Sequence, residues 1–255
     1  PLTLMPLLLA CARERLWKRR ALFGWAAGFV FWAGMCPWIQ FVLEVHGGMG
    51  RWGGWGSFLL FGLYKGLPMA VFAVLAGWVA NRGWSIPAGA ALWTGIERLH
   101  GYTGFAWLDL GNAGIGMPYP MRLAPVTGVY GLTFVFALIA GAVASIALRR
   151  PRRELAWLAP LALLLLALPR LPRPAEAHEQ ALVVQPNFDT EAEWTDAVTA
   201  LAEQKLALLS RIDAVRIDPA NPAAPGRARL LIWPEAPAPF FPNEPAFSRY
   251  PAHPA

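Results

Sequence analysis

Leu230-Leu231-Ile232-Trp233-Pro234-Glu235 is a short apolar run that stops at a carboxylate, and it follows about 170 residues of membrane-type sequence. The run has the length and composition of a buried, parallel-type strand. A carboxylate just past the end of such a strand stands where open α/β folds place their chemistry. The expected fold is therefore a polytopic α-helical membrane domain followed by the start of an α/β domain. A multi-span anchor carrying a strand-end Glu points toward an enzyme with lipid substrates.

Composition supports the membrane half. Hydrophobic residues make up 56% of the chain and charged residues 15%, against about 25% charged in soluble domains. Many of the 13 Trp flank apolar stretches, as an interfacial aromatic belt requires. Residues 1–170 carry 15 Lys and Arg against 5 Asp and Glu, whereas 171–255 carry 7 against 11. The basic balance belongs to the membrane part and gives no argument for nucleic-acid binding.

Working back from the strand, five full apolar stretches stand out, at 21–43, 55–80, 84–99, 123–148 and 154–169, with a partial one at 2–11. A span needs about 20 residues, so 84–99 and 154–169 must borrow from their flanks. Arg13, Arg15, Lys18, Arg19 and Arg20 crowd the first loop, and Arg149, Arg150, Arg152 and Arg153 the fifth. The intervening loops are sparsely charged. Positive loops stay cytoplasmic, which places 171–255 on the outer side, in the periplasm of a Gram-negative cell. The chain begins at Pro1 and ends at Ala255 soon after the strand. About 75 residues are too few to cover both faces of an α/β sheet, so the sequence reads as cut at both ends.

Several membrane-part residues stand out chemically. Cys11 and Cys36 lie in apolar stretches and read as small buried hydrophobes. Lys65 lies inside an apolar stretch and Glu97-Arg98 near the outer end of another. An intramembrane charge marks function by default; a Lys65–Glu97 pair or a snorkelling Lys65 is the plainer reading. The four His are scattered through loops and receive no role. Loop 100–122, with Gly101-Tyr102-Thr103-Gly104-Phe105-Ala106-Trp107, fits a segment resting on lipid headgroups. No metal ligands cluster, and no cofactor is expected.

The outer part follows 169–174, which is rich in Pro and Arg. Ala181-Leu182-Val183-Val184-Gln185 reads as a strand. Thr190-x-x-Glu193 forms a capping box. Trp194, Ala197, Val198, Leu201, Leu208, Ile212 and Val215 then recur at helical spacing to about residue 216. A Pro-rich loop over 218–228 leads to the 230–233 strand. Strand, helix, strand is one βαβ unit. Trp194 opens the amphipathic face and is a candidate substrate contact. Glu235 is the candidate general base.

The order of membrane helices, Val184-Gln185-Pro186-Asn187, Glu191-x-Glu193-Trp194 and Ile232-Trp233-Pro234-Glu235 resembles the apolipoprotein N-acyltransferase family. Glu97-Arg98-Leu99 and Gly104-Phe105-x-Trp107 extend the likeness into the membrane part. The family usually has Gly at the position of Pro186, and Ile-Pro-Gln at Phe188-Asp189-Thr190. The resemblance implies a transmembrane domain over 1–170, a linker over 171–179 and, from 180 to 255, the first part of an αββα nitrilase-like domain in the periplasm. It implies a Glu–Lys–Cys triad of which Glu235 alone lies in this chain. It further implies a phospholipid acyl donor, a diacylglyceryl apolipoprotein acceptor and a thioester acyl-enzyme. The alternatives are another membrane-tethered nitrilase-type amidase or acyltransferase, or a non-enzymatic membrane protein with an outer binding domain.

Overall fold

The computed structural model describes residues 2–104, 108–169, 180–188, 195–215 and 228–234. The chain divides into two compact units, Pro1–Pro172 and Arg173–Ala255. The expected linker 171–179, Trp194, Glu235 and most of the Pro-rich loop lie outside the described residues.

The first unit is helical. Its α-helices are α1 Met5–Arg13, α2 Trp17–Met35, α3 Trp38–Phe41, α4 Gly50–Val79, α5 Ser85–Tyr102, α6 Ala124–Ala147 and α7 Leu158–Ala167. A π-helical turn, Val42–His46, extends α3. Among the described residues, the 3-10 turns Leu110–Gly114, Pro120–Leu123 and Arg152–Trp157 shape the connections.

The five expected spans need correction. Among the described residues, two segments are long and apolar enough to cross a bilayer, Gly50–Val79 and Pro120–Ala147. Trp17–Met35 and Trp38–His46 make a third only if taken together across a 65° bend. The stretch 21–43 is thus not one straight helix. Cys36 leaves helical geometry, at φ −124 and ψ 37, as the residue before a proline tends to. The stretch 84–99 becomes α5, whose 18 residues include Glu97, Arg98 and His100. The stretch 154–169 splits into a 3-10 turn and a helix of 10 residues. Pro160 has no N–H, so it fits the first turn of α7 but not the interior of a longer helix.

Packing of α2 on α4 rests on small residues. A Cβ at Gly24 would lie 2.2 Å from the Met69 carbonyl oxygen, and one at Gly28 would lie 2.8 Å from Gly66 Cα. Gly24, Gly28, Gly62 and Gly66 form two small-x-x-x-small pairs, the pattern that lets membrane helices touch backbone to backbone. Trp25 Nε1 donates to the Leu63 carbonyl across the same seam at 3.0 Å. A core of Phe72, Ala76, Ile86, Ala90, Trp93, Ala137 and Ala140 joins α4, α5 and α6.

In the second unit, β1 Gln180–Val183 and β2 Ala228–Ile232 are parallel neighbours. The helix α8, Asp196–Val215, lies between them in sequence. The buried stripe of α8 is Ala202 and Leu206, while Leu201 and Leu208 are exposed. The expected apolar face is therefore misplaced by one position, about 100° of helix rotation. Apolar residues occur on both sides of α8, and the side carrying Ala202 and Leu206 is the covered one.

Candidate functional site

The parallel register sets the C-terminal edge of the strand pair. Val183 stands opposite Ile232, and the Val184 N–H donates to the Ile232 carbonyl at 2.9 Å. Beyond that point, β1 leads into Gln185, Pro186, Asn187 and Phe188, and β2 into Trp233 and Pro234. Asn187 takes a positive φ of 54°, a conformation Asn tolerates better than most residues. Lys205 of α8 lies 5.7 Å from the Phe188 ring. Trp233 Nε1 donates to Ser210 Oγ at 3.0 Å, and Ser210 donates to the Leu206 carbonyl at 2.7 Å. Trp233 is thus fixed against α8, and Pro234 restricts the backbone immediately before Glu235. The run that decides the sequence reading leaves its strand at the edge where α/β proteins carry functional groups.

The helical unit carries two buried polar clusters. Glu97, 3% exposed, accepts from Trp93 Nε1 at 2.7 Å, from the Leu110 N–H at 2.8 Å and from Thr133 Oγ1 at 2.6 Å. Thr133 in turn accepts from the Gly111 N–H at 2.9 Å. One carboxylate therefore ties α5, α6 and the Leu110–Gly114 turn of the intervening loop together. Lys65, 1% exposed, donates to Thr103 Oγ1 at 3.2 Å and to the Gly104 carbonyl at 2.9 Å. Its ammonium lies 4.4 Å from the Trp32 ring centroid, within cation–π range. The hydrogen bonds of Lys65 and Glu97 run to separate parts of the loop, so the pairing suggested by sequence gives way to two anchors on one segment.

His100, which the sequence left without a role, is buried and meets Trp32 edge to face at 5.7 Å. Among the described residues its Nε2 has no hydrogen-bond partner. Thr133 and Trp93 were also missed. The signal available was their one-turn or cross-helix distance from Glu97, which a single sequence gives only for Trp93, at i−4. Asp109 is buried in the loop, and burial pushes its carboxyl up to about 6. Among the described residues no group of three His, Cys, Asp or Glu could hold a metal ion.

Sequence comparison adds to this geometry. The family model for the apolipoprotein N-acyltransferase N-terminal domain matches residues 1–142. The chain belongs to this family. It is 30% identical to an apolipoprotein N-acyltransferase of Geobacter metallireducens over 259 residues, covering 95% of this chain and 48% of that protein. A second relative of the same name, from Allorhizobium ampelinum, is 30% identical over 91% of this chain and 45% of its own length. A third, from Bradyrhizobium diazoefficiens, is 31% identical over 69% of this chain and 36% of its own. The chain thus spans about half the length, or less, of these relatives. The likeness runs through the membrane unit and, in the longer matches, across the βαβ segment.

Proposed function

We propose that this chain supplies the membrane domain and the first βαβ unit of an enzyme that moves an acyl chain from a phospholipid to the N-terminal diacylglyceryl-cysteine of an apolipoprotein. The observation that carries the proposal is the family match over the membrane unit, joined to a β2 strand that runs into Trp233-Pro234-Glu235. The relatives' shared name supports N-acylation of an apolipoprotein; the phospholipid donor and the acyl-enzyme are part of the proposal.

In this reading, 1–170 is the anchor and 171–179 a linker. Residues 180–255 begin a nitrilase-like αββα domain, held in the periplasm above the inner membrane. The strand pair suits such a layered domain. Val184 is buried on one face, while Val183 and Ile232 are exposed on the other, an apolar surface on which a second layer would pack.

Glu235 acts as general base. It takes the proton of a cysteine thiol, and the thiolate attacks the sn-1 ester carbonyl of the phospholipid. A lysine and backbone N–H groups stabilise the tetrahedral oxyanion. Collapse expels the lysophospholipid alkoxide, which takes a proton, and leaves a thioester. The α-amine of the acceptor then attacks the thioester, forming an amide and releasing the thiol. Cys11 and Cys36 are both buried in the helical unit, and in this proposal the Cys and Lys of the triad are those the family resemblance implies, neither being assigned to a residue of this chain. Trp194 contributes to substrate binding.

The test is Glu235→Gln in the full-length gene product, read as the rate of thioester labelling by a fluorescent phospholipid. General-base catalysis contributes roughly 100- to 10,000-fold, and the rate falls by that range if the assignment holds. Labelling at the wild-type rate removes Glu235 from the mechanism.

A further inference from the structure

Arg98 lies at the end of the helical unit where α5 finishes and α6 begins. It is exposed, whereas its neighbour Glu97 is buried. Successive helical residues point about 100° apart. The Glu97 carboxylate turns into the bundle, where Trp93, Leu110 and Thr133 occupy it, and Arg98 turns away from it. Among the described residues Arg98 forms no ion pair and donates no side-chain hydrogen bond. Its contact is an aromatic ring. The guanidinium carbon stands 5.4 Å from the ring centroid of Tyr130 of α6, within cation–π range. Gly101 and Tyr102 follow three and four positions later, on the same face of α5. Arg98, Gly101, Tyr102 and Tyr130 line an open cleft of about 190 Å³. A single buried water needs only about 10–15 Å³, so the cleft has room for a larger group.

The backbone beside the cleft sets its depth. Helical geometry in α6 breaks at Gly128, with φ 64 and ψ −162, and residues 125–128 are exposed. Lipid-exposed irregular backbone does not occur in the hydrocarbon region, where unpaired N–H and C=O groups have no water. Gly128 therefore belongs at the polar boundary. From Gly128 to Ala147 the helix is about 28 Å long at 1.5 Å per residue, close to the roughly 30 Å of a hydrocarbon core. Arg149, Arg150, Arg152 and Arg153 follow just past the other end. Tyr102 and Tyr119 are exposed, as aromatic residues at a membrane boundary are. Arg122 stands 4.8 Å from the Tyr119 ring centroid, but it is engaged with the Leu165 carbonyl at 3.4 Å. Arg98 has no such acceptor, and its long side chain can extend to the headgroup level.

We propose that Arg98, stacked on Tyr130 and flanked by Gly101 and Tyr102, binds the phosphodiester of a phospholipid headgroup. A guanidinium presents parallel N–H donors that match two phosphate oxygens. A ring against the guanidinium restricts its motion and leaves its donor edge available, so less freedom is lost on binding. Gly101 has no side chain to block the approach. The acyl chains need no cavity of their own. They remain in the bilayer, beside exposed apolar residues such as Leu99 and Val126. A soluble phosphate could meet the same donors but lacks the chains that hold a headgroup at this depth. The site rests on the helical unit lying in a membrane. It depends neither on the proposed acyl transfer nor on which leaflet this end faces.

The experiment uses the whole chain in neutral detergent and reads bound lipid by native mass spectrometry. Phosphatidylglycerol is compared with a diacylglycerol of the same chains, which lacks the phosphoglycerol headgroup, and glycerol phosphate is added as a soluble competitor. Phosphatidylglycerol is expected to be retained and the diacylglycerol lost. Arg98→Gln should weaken phosphatidylglycerol about tenfold or more, as loss of hydrogen bonds to a charged group does. Arg98→Lys keeps the charge without the fork and should fall between. Tyr130→Leu should weaken binding about two- to fivefold. Arg51→Gln removes an exposed cation outside the cleft and should weaken it less than Arg98→Gln. Equal retention of the two lipids overturns the proposal, as does an Arg98→Gln chain that binds like the wild type. Equal losses in Arg98→Gln and Arg51→Gln would leave only diffuse charge and also overturn it. Displacement by glycerol phosphate at the concentration of the lipid would assign the cleft to a soluble phosphate instead. Arg98 is exposed, so folding is not at risk in its variants, and the wild-type comparison of the two lipids needs no variant.

Discussion

Glu97 gives the sharpest test of how the helical unit is held together. Its carboxylate accepts three short hydrogen bonds at 3% exposure. Glu97→Ala removes the acceptor and leaves the donors in place. The Thr133 hydroxyl keeps its bond from Gly111 and can turn, but Trp93 Nε1 and the Leu110 N–H are fixed by their own backbones. Each buried donor left without a partner costs about 1–3 kcal/mol, so the two together cost about 2–6 kcal/mol. For a unit of this size, 1 kcal/mol corresponds to roughly 2–4 °C, which predicts a drop in midpoint of about 4–24 °C. Glu97→Gln keeps one carbonyl acceptor and turns an NH₂ toward a donor, so it should fall between. Cys11 and Cys36 are each 1% exposed, and a thiol-reactive fluorophore therefore reports unfolding in detergent directly. An Ala variant melting within about 2 °C of the wild type would refute the reasoning, because the three bonds would then contribute nothing net.

Gly28→Leu forces side-chain atoms into the Gly66 backbone and should lower the midpoint by the equivalent of about 1–3 kcal/mol or more. Gly34→Ala meets nothing within 4 Å on the same helix and should be neutral or slightly stabilising; equal effects of the two in thermal scans would undo the close-packing account. The Asp109 carboxyl sits at about 6 when folded, against about 3.9 for a free Asp. Its protonated form is therefore favoured by folding, and stability declines as pH rises from about 4 to 6. Asp109→Asn should flatten that slope in pH-dependent melting, and an unchanged slope counts against burial as the cause. Reporters active only in the periplasm, fused after residues 20, 150 and 200, should be silent at the first two and active at the third; activity at 150 with none at 200 would invert the proposed orientation.

The parts of the fold that follow from local pattern were readable in the sequence. The stretches 55–80 and 123–148 correspond to α4 and α6 within a few residues, because long apolar runs have one solution in a bilayer. The strand, helix and strand at 181–185, up to 216 and 230–233 correspond to β1, α8 and β2. What the pattern could not give was anything set by contact with distant residues. The bend at Cys36-Pro37 looks like continuous apolar sequence. The covered side of α8 depends on which flank meets the strands. The partners of Lys65 and Glu97 lie 38 and 36 residues away at Thr103 and Thr133, and no periodicity links such positions. Glu235, read as catalytic from its place past a strand end and its motif, and Trp194, a candidate substrate contact at the start of the amphipathic face, fall outside the described residues.

The two polar clusters make sense together when their targets are compared. An ammonium and a carboxylate buried in a helical membrane unit are costly unless each has fixed partners. If their role were to hold helix to helix, the α2–α4 seam shows that glycine contact suffices. Besides the Thr133–Glu97 bond between α6 and α5, Lys65 reaches the first residues after α5, and Glu97 with Thr133 reaches Leu110 and Gly111. The bonds of Lys65, and those that Glu97 and Thr133 accept from Leu110 and Gly111, end on a single loop, at its two described flanks. A loop cannot be held by apolar packing alone, because its N–H and C=O groups need partners wherever water is excluded. Charged side chains reaching out from the bundle supply those partners and fix the loop's path. We propose that in the acyltransferase this loop rests on lipid headgroups, as its sequence suggests. Its path would then be a condition for binding, and neutral replacements at Lys65 should raise the KM for phospholipid before they lower kcat. A Lys65→Met enzyme that loses kcat at unchanged KM would instead place Lys65 in the chemistry or in general stability. Lys65→Arg, which keeps the charge and the donors, separates these outcomes by restoring KM only if the anchor itself is what matters.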